Sequence, residues 1–187
     1  AHDPFDEIVA KARVVDASVT DTFEDIVKLA SDDLSALLPT TASSLSEGFL
    51  EGTRVGATPV TGGVALPHLR IRGITQPMMV IARSKQGVTI DVGDVFGEVH
   101  EEGSIHAIFF LVSPEDDPSQ HLRLLAQLAG HVDQEGFMER WLASNTNQDM
   151  KEILLREDRF LSLQLEIGMP TETLIDLSIR KLGFPED

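Results

Sequence analysis

Between residues 20 and 38 the apolar positions Phe23, Ile26, Val27, Ala30, Leu34 and Leu37 recur at the spacing of one helical face. Thr20 and Asp21 are good helix-start residues, and Pro39 with the Thr/Ser cluster from Thr40 to Ser46 ends the run. A short second helix is expected over Leu45–Glu51, closed by Gly52. From Gly56 to His68 the chain reads as a turn-rich loop leading into a short apolar strand. Strands are predicted at Pro77–Arg83 and Ile105–Val112, with weaker ones at Val88–Val92 and Gly97–His100. The stretch Ser113-Pro-Glu-Asp-Asp-Pro118 is a loop by its turn chemistry. The clearest helix runs from Ser119 to about Val132, with His121, Leu124, Leu125 and Leu128 on one face. Two further helices fit Glu135–Ala143 and Asn147–Arg156, the second turning Ile153 and Leu154 inward.

Strands alternating with helices imply a layered α/β domain over residues 1–158, an α/β/α sandwich around a mixed central sheet. Residues 159–187 restart with a strand, Phe160–Leu165, and a helix, Thr173–Leu182. This strand–helix appendage is too short to bury a core alone. It is read as a separate piece or a packing tail.

The chain has 187 residues and a hydrophobic fraction of 42%, enough for an ordinary core. Its longest apolar runs, such as Ile105–Val112, fall far short of the roughly 18 residues a membrane helix needs. No secretory leader is visible. There is no Cys, which excludes disulfides, thiolate metal sites and cysteine nucleophiles. These features suggest a cytoplasmic protein, and the first residues, Ala-His-Asp-Pro, suggest a piece of a longer chain.

The formal charge of −16 has a sharper consequence. A surface this acidic repels phosphate backbones and anionic membranes, so nucleic-acid binding is not expected. Two readings of the charge stay open: adaptation to high salt, where carboxylate repulsion is screened, or an ordinary acidic domain.

Candidate chemistry centres on histidine. His2 lies in a frayed terminus, His100 and His131 have no distinguishing context, and His106 sits inside an apolar strand as a half-buried residue. His68 differs. Gly62-Gly63 allow close backbone approach, and Pro67 fixes the chain just before the imidazole. The histidines lack metal-ligand spacing, and neither a Gly-x-Ser-x-Gly elbow nor a phosphate-binding Gly-x-x-x-x-Gly-Lys loop is present. No metal or cofactor is expected.

Gly56-Ala-Thr58 followed by Gly63-Val-Ala-Leu-Pro-His68 resembles the active-site motif of the fructose/mannitol-type and nitrogen-regulatory enzyme IIA family of the bacterial phosphotransferase system. Gly87-Val-Thr-Ile, the strand ending in Ser113-Pro114, and His121-Leu-Arg-Leu-Leu-Ala-Gln-Leu128 extend the resemblance over about Ala12 to Asp158. It implies that His68 accepts a phosphoryl group from a histidine-containing phosphocarrier protein and passes it on, with His121 lining the same site. Thr58, Gly62, Gly63 and Arg54 are the candidate phosphate-binding residues. An imidazole nitrogen is nucleophilic near neutral pH, so the chemistry is apt. The start of the helix carrying His121 is expected to offer amide donors and a positive dipole end to the phosphate.

The family carries an Arg sixteen residues before the active histidine, where this chain has Gly52, and Arg54 is the nearest substitute. A segment from Asp94 to Gly103 lengthens the stretch between the two histidines and adds Glu98, Glu101 and Glu102. The tail is similar to the opening of the small C-terminal module of potassium-channel regulatory (RCK) domains. Two functions are carried forward: a regulatory module belonging to a membrane transporter in cis, and an active phosphocarrier. Homo-oligomerisation is left open.

Overall fold

In a computed structural model the chain is described over residues 3–155. The expected strand and helix of residues 159–187 lie outside that range. The order is α1 (Pro4–Lys11), β1 (Arg13–Asp16), α2 (Phe23–Ser35), α3 (Ala42–Arg54), β2 (Val60–Thr61), β3 (Val64–Ala65), β4 (His68–Ile71), β5 (Met78–Gly93), β6 (Val99–Pro114), α4 (Pro118–Val132), α5 (Phe137–Ala143) and α6 (Asn147–Leu155).

The sheet runs β1-β5-β6-β3-β2, and β4 also pairs with β6. It is mixed: β5 and β6 are antiparallel, whereas β1 lies parallel to β5 and both β3 and β4 lie parallel to β6. Because successive residues of a strand point to opposite faces, each central strand feeds two layers. Val80, Ala82, Ile108, Phe110 and Val112 join Phe23, Ile26, Leu34, Leu45 and Phe49 in a core under α2 and α3. The intervening residue Phe109 packs on Trp141 of α5, with ring centroids 5.5 Å apart. Helices α1, α4 and α5 contact this other face of the same β5–β6 pair. The expected layering is therefore present.

Several boundaries differ from the sequence reading, each for a local reason. Helix α2 starts after Thr22, not Thr20, because Thr22 and Asp25 form a reciprocal capping box, the hydroxyl accepting from Asp25 N and the carboxylate from Thr22 N. Helix α3 begins earlier than Leu45, at Ala42, because Thr41 caps it by accepting from Ser44 N.

The separate strands expected around residues 77–112 fuse into one long hairpin. Irregular registers between Arg83 and Ile90 break the polar/apolar alternation while keeping the pairing. The acidic segment from Asp94 to Gly103 forms the tip and outer part of that hairpin, where Glu101 and Glu102 face Asp91 and Ile90. Helix α1 and strand β1 were not foreseen. Asp3 and Pro4 start α1 by a cap and a ring that needs no amide partner. Strand β1 is fixed by a remote contact: Arg83, only 1% exposed, donates two hydrogen bonds to the Asp16 carboxylate and two more to the carbonyls of Trp141 and Ser144.

Candidate functional site

Two backbone hydrogen bonds, one local and one from β6, hold the chain around His68 in place. The Leu66 amide donates to the Pro59 carbonyl, and the Leu111 amide of β6 donates to the Pro67 carbonyl, so the loop is tied at both sides of Pro67. His68 then opens β4 opposite Leu111. Its Nδ1 lies 2.9 Å from the Leu66 carbonyl oxygen. A carbonyl only accepts, so the proton of that bond belongs to Nδ1, and Nε2 of the neutral ring keeps its lone pair. The half-buried ring thus presents one defined nitrogen.

His121 arrives from α4, whose Pro118 start and Asp117 cap set its position in the first turns. Its ring is 5% exposed, and its centroid stands 5.1 Å from that of His68. The Nδ1 of His121 shares a 2.7 Å hydrogen bond with Ser113 Oγ. Burial, then the neighbouring His68, then the Arg70 cation depress its pKa to about 4. At neutral pH His121 is therefore an uncharged imidazole beside an uncharged serine.

The other candidates are placed differently. Gly62 and Gly63, with φ of 56° and 80°, form the two-residue turn joining β2 to β3, a conformation that favours glycine. Gly63 faces His106 and Ser104, and its carbonyl accepts from the amides of His106 and Ala107. Leu111 lies five positions beyond His106 on β6, so this turn lies about 16 Å along the strand from His68. The glycines shape the hairpin and do not join the two imidazoles.

Thr58 is buried, and its hydroxyl donates to Thr53 Oγ1 at 3.1 Å, since the Thr53 hydrogen goes to the Phe49 carbonyl. Arg54 is ion-paired with Glu51 and borders a surface hollow with Asp91 and Val99 whose lining includes neither histidine. Gly52 sits in α3 with only the Thr58 hydroxyl, at 3.6 Å, near the place of a Cβ.

The start of α4 also departs from expectation. Pro118 has no amide hydrogen, the Gln120 amide is taken by the Asp117 carboxylate, and the His121 amide by the Asp117 carbonyl. Among the amides of that turn only Ser119's is left, under a cap that is itself anionic.

Two residues escaped the sequence reading. Ser113, taken as the start of a loop, is the last-but-one residue of β6 and fully buried. Arg70 follows His68 by two on β4, which puts both on one face of the strand. That period-2 relation was the signal available for Arg70. For Ser113 the resemblance marked the position but not its role, because its partner is eight residues away on a helix.

A family model described as the phosphoenolpyruvate-dependent sugar phosphotransferase system, EIIA 2, matches residues 7–157. The chain belongs to that family. A nitrogen regulatory protein of Pseudomonas aeruginosa is 25% identical over 114 residues, 61% of this chain and 70% of that protein. A fructose-specific EIIA component of Haloferax volcanii is 23% identical over 108 residues, 58% of this chain and 66% of that protein, just short of two thirds of its length.

Among solved structures, the nitrogen regulatory protein IIA-Ntr of Neisseria meningitidis superposes with a TM-score of 0.66 at 23% identity, covering 81% of this chain and 99% of that one. The IIA component in a complex of enzyme IIAMTL and phosphorylated enzyme IIBMTL from Escherichia coli gives 0.52 at 16% identity, over 76% and 94%. These structures share the fold, and the second shows a member of the fold engaged with a phosphorylated partner. No helix among the described residues is long and apolar enough to cross a membrane.

Proposed function

We propose that this enzyme IIA domain accepts a phosphoryl group on Nε2 of His68 and hands it onward. The observation that carries the reading is the approach of two imidazoles, 53 residues apart in sequence, to 5.1 Å between ring centres. The step is a displacement at phosphorus. The Nε2 lone pair forms the new N–P bond, and the bond to the donor nitrogen breaks with its electron pair staying on that nitrogen. His68 keeps the Nδ1 proton against the Leu66 carbonyl, which also stabilises the positive ring of the phosphorylated product.

His121 is the neutral companion. If Ser113 donates its hydroxyl hydrogen to Nδ1, the remaining proton of His121 resides on Nε2 and can point at a phosphoryl oxygen. A neutral neighbour leaves the His68 nitrogen free to attack, where an imidazolium would compete with it for negative charge. The donor on this reading is a histidine-containing phosphocarrier protein, and the setting is the cytoplasm, where that relay operates.

A second reading is kept because of Gly52. With no guanidinium at that position, the fold suits a regulatory module joined in cis to a membrane transporter, its pocket sensing a phosphate-bearing ligand. The resemblance of Thr173–Glu186 to a transporter-associated module favours the same view.

Incubation with phosphoenolpyruvate, enzyme I and the phosphocarrier protein separates the two. An acid-labile, base-stable phosphate that His68→Ala abolishes is expected. A cognate relay that leaves the wild-type chain unlabelled would remove the carrier reading and leave the regulatory one.

A further inference from the structure

We infer that Arg70 supplies the cationic contact to a phosphoryl group at His68, the role for which the chain lacks an arginine at position 52. The inference rests on the proposal that His68 receives phosphate, and three observations of placement carry it.

First, His68 and Arg70 project from the same face of β4, about 6.6 Å apart along the strand, within the span of an arginine side chain. Second, β4 and β6 are parallel and Arg70 is the register partner of Ser113, so both side chains leave the sheet on one face. Ser113 is the residue hydrogen-bonded to His121. Arg70 therefore leaves the sheet on the face that carries the dyad, and its field is felt there: it is one of the charges that lower the His121 pKa, after burial and His68.

Third, Arg70 is exposed and uncommitted. Arg54 is paired with Glu51, Arg72 with Glu115, and Arg83 with Asp16 and two carbonyls. Arg70 has no ion pair or hydrogen bond among the described residues. Recruiting this guanidinium breaks no existing ion pair, and its planar fork matches two phosphoryl oxygens. A cation is wanted there, because the start of α4 offers the dyad a helix end already capped by the Asp117 carboxylate. Arg70 binds the group, and the bonds made and broken stay at His68 as described above.

The test uses potassium phosphoramidate as a small phosphoryl donor, so that no protein partner is needed. His68 Nε2 takes the phosphoryl group and ammonia leaves, and phosphohistidine is followed by 31P NMR. Relative to wild type, Arg70→Ala is expected to slow labelling by roughly a hundredfold, the scale for removing one transition-state donor, with partial recovery in Arg70→Lys. Thermal unfolding of both variants is expected to match wild type, since the side chain is exposed and unpaired.

Equal labelling rates in wild type and Arg70→Ala would overturn the inference while leaving the carrier reading intact. Absence of labelling in the wild type itself would count against the carrier reading, and a second measurement then judges Arg70 alone. In it, inorganic phosphate is titrated against the ring signals of His68 and His121. Shifts seen in wild type and lost in Arg70→Ala support an anion site built on Arg70, and identical or absent shifts in the two proteins refute it.

Discussion

Replacing His121 by Gln removes a titrating group from a buried position while leaving an amide that can still bond to Ser113. In the native chain His121 has its pKa lowered from 6.5 to about 4, first by burial and then by His68 and Arg70. The sign follows from linkage. Between pH 6.5 and 4 the unfolded chain binds a proton that the folded chain refuses, so stability rises with pH across that window. The contribution is complete above the unfolded value and is lost as the pH falls toward the folded one. For these two values the unfolded state gains about 0.2 kcal/mol of proton binding at pH 7 and about 2 kcal/mol at pH 5.

Wild type is therefore expected to lose about 2 kcal/mol more than His121→Gln between pH 7 and pH 5. The 31 carboxylates titrate in both proteins and cancel in the difference. Urea denaturation of the pair at pH 7, 6 and 5 measures it, and only the change with pH matters, because the substitution also shifts stability at every pH. Parallel losses in the two proteins would refute the claim that the fold keeps this imidazole neutral. Ring titration of His121 by NMR gives the direct check, with a midpoint near 4 expected and one near 6.5 fatal.

Two further outcomes test other parts of the structure. Gly52→Arg meets only the Thr58 hydroxyl at 3.6 Å and sits in a helix. It should stabilise the chain by roughly 0.5–1 kcal/mol and restore phosphoramidate labelling to Arg70→Ala by roughly tenfold or more, and unchanged labelling would mean that position 52 does not reach His68. Arg83→Met strands the carbonyls of Trp141 and Ser144 and the Asp16 carboxylate, and should cost about 3 kcal/mol by urea unfolding. A loss below about 1 kcal/mol would show that this buried guanidinium does not hold β1 to the sheet.

Helices α2 and α4 were legible because each carries a full apolar stripe over several turns, a local signal that tertiary contacts only reinforce. Strand β1 was not, since Arg13-Val-Val-Asp16 is too short for a pattern and is defined by pairing with residues 80–83. The hairpin β5–β6 was read as fragments because its bulged region interrupts the alternation that marks a strand. Glycine was legible for its backbone freedom but not for its address. Gly62-Gly63 make the tight turn their residue type promises, at the end of β3 away from His68.

The sequence by itself singled out His68 as the candidate histidine. Pro67 and the Ala-Leu-Pro-His68 motif restrict the chain over a few bonds, and such constraints are local. Only the tertiary structure decided what surrounds that histidine. The parallel register of β4 against β6 puts Arg70 beside Ser113, and the packing of α4 onto that face brings His121 to Ser113 and His68. Those neighbours come from separate elements whose alignment is set by burial of the whole sheet, and no pattern within a single segment encodes it.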